Sequence, residues 1–115
     1  MDEPILNTVK KHIGIHEDDN TFDSTILTHA NSAFFNLTQL GVGPQDGFHL
    51  VTGEELWSHY PGIRTDMEAI RTYLCLRVAL VFDPPQMGYL VDAIKEQIKE
   101  IEWRLSVQVE NVPYP

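Results

Sequence analysis

The sequence predicts a mainly α fold, a small helical bundle of about four helices. Three observations carry that expectation. Apolar residues recur at spacings of three and four along four separate stretches. Helix-starting and helix-stopping residues fall at the ends of those stretches. Glycines and prolines gather in one loop between the second and third long helices, which leaves room there for a short β-hairpin. At 115 residues the chain has the size of one domain and can build a core without disulfides or a structural metal. We read 1–107 as a single helical domain and 108–115 as an extended C-terminal tail.

The first helix is expected from about Pro4 to His12. Pro4 suits a first turn, where its missing N–H is no loss, and Asp2 and Glu3 favour the positive end of the dipole. Ile5, Val9 and Ile13 form one stripe, and Gly14 marks the stop. An acidic stretch, His16 to Asn20, leads into a second helix from about Phe22 to Leu40. Phe22, Ile26, Ala30, Ala33, Phe34, Leu37 and Leu40 face its core, with Gly41 as a left-handed stop. Phe35 lies off that stripe.

Gly41 to Tyr60 is the loosest region. Gly47-Phe48-His49-Leu50-Val51 has the pattern of a short strand or hairpin arm. Thr52 and Glu55 have capping-box spacing, which predicts a short helix through Leu56 and Trp57. Pro61-Gly62 breaks the chain again. Thr65 and Glu68 repeat the box and open a third helix, about Asp66 to Phe82, with Met67, Ile70, Leu74, Val78 and Val81 as its main stripe. From Tyr73 to Phe82 it is apolar on nearly every side, interrupted by Arg77, as befits a helix central to a bundle. Asp83-Pro84-Pro85 ends it. The fourth helix, about Gly88 to Val107, directs Leu90, Ile94, Ile98, Ile101 and Leu105 inward, and Glu100 precedes Arg104 at ion-pair spacing.

Charge and motifs narrow the function. Seventeen acidic and eight basic residues give a formal charge of −9, and Lys10-Lys11 is the longest basic run. Such a surface repels duplex DNA. Cys75, the lone cysteine, sits in the most apolar stretch and reads as a small core residue. The start Met-Asp-Glu-Pro lacks a signal peptide's features, no apolar run reaches membrane-spanning length, and a soluble intracellular protein is expected. Asn36-Leu37-Thr38 is then a chance sequon. His12 and His16 have metal-ligand spacing but no third ligand nearby. Glu17 to Asp23 puts Phe22 and Asp23 where a calcium loop needs an oxygen ligand and a glycine. Gly41-Val42-Gly43 lacks the rest of a phosphate loop. No catalytic, cofactor or metal residue is expected, and the chain is not read as an enzyme.

The aromatic residues are more informative. On an ideal helix Trp103 points about 180° away from Ile94, with Tyr89 and Val107 within about 40° of it and Asp92, Glu96 and Lys99 around it. Either the tail covers Trp103, or this face meets another subunit. Tyr89, Glu96 and Trp103 are the first candidate interface. Phe48 and Trp57, on the Gly-rich segment, are the second.

Several stretches together resemble the head–tail connector (adaptor, or head-completion) proteins of long-tailed bacteriophages. Ile5-Leu6-x-x-Val9-Lys10-x-x-Ile13-Gly14-Ile15 is similar to that family's first helix. Phe22-Asp23-x-x-Ile26 and Leu37-Thr38-Gln39-Leu40-Gly41-Val42-Gly43 are similar to its second. The strongest likeness is Phe82-Asp83-Pro84-Pro85, followed by Ile98-x-Glu100-x-Glu102-Trp103-Arg104-Leu105. The resemblance implies a helical subunit of a closed ring of twelve copies, found in the virion at the head–tail interface and in host cytoplasm during assembly. Its implied partners are copies of itself, the portal protein and a tail-side stopper or tail-completion protein. Genomic DNA is implied only as a passing occupant of the channel, and no membrane or cofactor is implied. Carboxylates facing such a lumen would let DNA pass without sticking. The competing reading is a small acidic helical regulator that binds one phage or host protein as a monomer or dimer.

Overall fold

The structure is a computed structural model that describes residues 2–60 and 67–111, with side chains through Glu110. It contains α1 (Ile5–Ile13), α2 (Asp23–Gln39), a 3₁₀ turn (Trp57–His59), α3 (Met67–Phe82) and α4 (Gly88–Asn111). The helical bundle expected from periodicity is therefore the fold. There is no strand among the described residues, only an isolated antiparallel bridge between Pro4 and Leu56.

The helices end where their stop residues require. Gly14 adopts φ 81°, and the Ile15 N–H returns to the Lys10 carbonyl at 2.9 Å. Gly41 adopts φ 83°, and the Val42 N–H returns to the Leu37 carbonyl at 2.8 Å. In both cases a left-handed glycine satisfies carbonyls that the helix leaves unpaired. At the start of α1, the Ile5 N–H donates to the Glu55 carbonyl at 2.9 Å, so an orphan donor is met by the distant loop.

Lys10 fixes the crossing from α1 to α2. It is 1% exposed, an unusual depth for a lysine, and its ammonium donates to the Asp23 carboxylate at 2.8 Å and the Glu17 carbonyl at 3.1 Å. The acidic lead-in thus supplies the counter-charge for a cation on the inner side of α1.

The loop from 41 to 60 corrects two expectations. No strand forms over Gly47–Val51, because the Asn31 amide takes both polar groups of Leu50. Its oxygen accepts the Leu50 N–H at 2.6 Å and its nitrogen donates to the Leu50 carbonyl at 2.9 Å. No helix starts at Thr52 either. Glu55 does accept the Thr52 N–H at 3.1 Å, but it also accepts those of Val51 at 2.7 Å and Gly53 at 3.0 Å. The backbone wraps around the carboxylate as a turn, Gly53 sits at φ 85°, and helical geometry begins only at Trp57.

α3 packs against all three other helices, whereas α4 rests chiefly on α3. Ile70, Tyr73, Leu74, Cys75 and Val78 are buried. The expected burial does not extend to the end of the helix: Val81 is 57% exposed, and on α4 Leu90 is 42% exposed. Phe82 meets Phe22 edge to face at 5.4 Å, but among the described residues no third helix covers Val81 or Leu90. α4 also runs four residues past the expected stop at Val107, so residues 108–111 are helical rather than an extended tail. The proposed box at Thr65 and the break at Pro61-Gly62 lie outside the described residues.

Candidate subunit interface

The outer face of α4 has the phase its sequence predicts. Tyr89 is 69% exposed and Trp103 66% exposed, and Glu96 is exposed between them. Ile98 and Leu105 are buried on the opposite side against α3. Glu100 and Arg104 form the expected pair at 3.0 Å, both in solvent. Phe35 on α2 is exposed as well.

The second candidate pair lies elsewhere. Trp57 is buried; its indole N–H donates to the Thr8 hydroxyl at 2.8 Å, and the Arg71 guanidinium covers its ring at 5.1 Å. Phe48 packs edge to face on Phe34 and on Tyr60, each at 5.1 Å. Gly43 allows that packing, since a Cβ there would sit 2.4 Å from the Tyr60 oxygen. In the single chain both residues of this pair therefore serve the interior. The structure does not bring them together with Tyr89, Glu96 and Trp103.

What sequence reading missed is the polar clasp that holds α4. The buried Tyr73 hydroxyl donates to Glu102 at 2.7 Å, and Arg77 lies 3.6 Å from the same carboxylate oxygen and over the Tyr73 ring at 5.7 Å. With its amide oxygen turned inward, Asn36 accepts from both terminal nitrogens of Arg77 at 2.8 Å. One cation thus ties α2, α3 and α4. Burial, reinforced by the hydrogen bond to Glu102, pushes the Tyr73 phenol up to about 12. The signal in the sequence was Arg77, a lone cation in an apolar run, whose partner lies on the next helix.

Beside the clasp runs a groove of about 290 Å³ between α3 and α4, lined by Arg77, Leu80, Val81, Lys95, Ile98, Lys99 and Glu102. No cluster of three or more His, Cys, Asp or Glu side chains suited to a metal occurs among the described residues. His12 and His16 do not form one: His16 Nδ1 accepts the Asp18 N–H at 3.1 Å. Likewise, no helix among the described residues is long and apolar enough to cross a membrane.

No curated protein and no solved structure matches the chain. A family profile described as phage connector protein matches residues 5–112, which covers all four helices. The match spans nearly the whole chain, and the chain therefore belongs to the phage connector protein family.

Proposed function

We propose that this protein is a subunit of a ring-shaped head–tail connector. The ring docks on the portal of the phage capsid and extends the DNA channel toward the tail. The family match over residues 5–112 carries this reading. Two features of the chain support it. Tyr89 and Trp103 are largely exposed on α4, and Trp and Tyr are favoured at the centres of protein interfaces. The formal charge of −9 suits a channel wall that must release DNA. The work of such a subunit is assembly, with copies of itself, with the portal and with a tail-side completion protein as partners, and its place is the virion.

Native mass measurement and negative-stain imaging test the reading, on the full chain alone and mixed with its portal. A closed ring, formed alone or on the portal, is the expected result. A chain that remains monomeric beside the portal, or a discrete dimer that ignores it, overturns the connector reading; the dimer would favour a regulator.

A further inference from the structure

Three of the eight basic side chains, Arg77, Lys95 and Lys99, converge on the groove between α3 and α4. Its apolar lining is Leu80, Val81 and Ile98. The carboxylate that shares it, Glu102, is already engaged by Tyr73 and Arg77. Lys95 makes no ion pair among the described residues, and Lys99 reaches only Glu96, at 3.8 Å and in solvent, where such a pair contributes little. The result is a cationic rim around an apolar bed on a chain that is otherwise acidic. At about 290 Å³ the groove lies just under the usual range for small-molecule sites and matches one or two protein side chains.

The chemistry that fits is a large apolar ring with a carboxylate on the same face. The protein carries such a surface itself: Trp103, with Glu96 two turns before it and about 20° away around the helix, beyond Lys99. We infer that the α3–α4 groove is the receiving half of the subunit contact, and that its occupant is the outer face of α4 from a second copy. Trp103 of one subunit lies on Leu80 and Val81 of the next, while Glu96 meets Lys95. The two surfaces share a border at Lys99 but are otherwise different, and they complement each other, which is the condition for a head-to-tail contact that can propagate around a ring. The inference rests on the ring reading and supplies the second surface that reading requires.

A charge exchange tests it. The full chain is followed by sedimentation across a concentration series, with and without portal, as wild type, Lys95→Glu, Glu96→Lys and an equimolar mixture of the two variants. Both positions are exposed, and circular dichroism checks that each variant stays folded. Each single variant should weaken assembly about tenfold or more, since like charges then face each other across the contact. The mixture should recover to within about threefold of wild type, because each variant then offers the surface the other needs. A wild type that assembles while the single variants are unaffected, or a mixture no better than its parts, overturns the groove and leaves the ring standing. Variants that form rings normally but lose the portal place a portal segment in the groove and overturn it equally. A wild type that fails to assemble even with portal removes the ring reading, and this inference with it.

Discussion

Trp103 and Trp57 are the same residue in opposite circumstances, and their contrast marks what a sequence discloses about a side chain. Trp103 was legible because its helix is long and regular, so its phase followed from counting residues back to Ile94. Trp57 was not, because its burial depends on Thr8, which lies 49 residues away in the chain, and on Arg71 above its ring. Replacing Trp103 by Ala should leave the melting of the monomer nearly unchanged and weaken ring formation or portal docking by about 2 kcal/mol or more. Unfolding of the monomer in that variant would mean that Trp103 is core after all. Tyr73 gives a prediction in pH. Its folded-state value is raised from 10.0 to about 12, so its contribution to stability is complete below about pH 10 and is lost as pH rises through about 12. The phenolate absorbance of Tyr73 should therefore appear with unfolding; its appearance near pH 10 in a folded chain would show that the clasp with Glu102 is open. Glu55 runs the other way. Partial desolvation opposes its ionisation, but the N–H groups of Val51, Thr52 and Gly53 outweigh that and hold it at about 2 against an ordinary 4.5. Its contribution is present above about pH 4.5 and lost as pH falls toward 2, and Glu55→Gln should flatten the acid limb of the stability curve.

Among the elements, α3 justifies its central place through Ile70, Leu74 and Val78 rather than through its whole apolar length. Leu74→Ala should cost about 2–5 kcal/mol in denaturant unfolding, as a large-to-small change at a fully buried position. A loss under about 1 kcal/mol would show that the surroundings collapse onto the gap, or that α3 is not central. The junction of α1 and α2 should be as sensitive. Asp23→Ala leaves the Lys10 ammonium buried with only the Glu17 carbonyl, at a cost of about 3 kcal/mol. The four long helices and both glycine stops could be read from local pattern, since each rests on residues within a few turns of one another. The loop could not. Asn31 replaces a strand partner for Leu50, and Glu55 turns a helix start into a closed turn, and both choices depend on which side chain arrives from elsewhere. The open end of α3 and α4 misled for the same reason: Val81 and Leu90 continue an apolar stripe past the point where another helix covers it.

For the molecule as a whole, charge and architecture divide the work. An excess of nine carboxylates makes the chain repel nucleic acid, while four of the eight cations serve internal and groove contacts: Lys10 under α1, Arg77 in the clasp, and Lys95 and Lys99 on the rim. The isolated chain should show no binding to duplex DNA at moderate salt, and a salt-sensitive submicromolar affinity would argue against a channel lining. The single thiol has a consequence of a different kind. Cys75 is buried in α3 where that helix is most enclosed, and desolvation pushes it up to about 11. Alkylating reagents act on exposed thiolate, so they can modify this chain only during the moments when its centre comes apart. The protein therefore carries its own clock for breathing. The rate of alkylation counts openings around Cys75, and if the proposed assembly with portal forms and rigidifies the chain, that rate should fall on mixing the two.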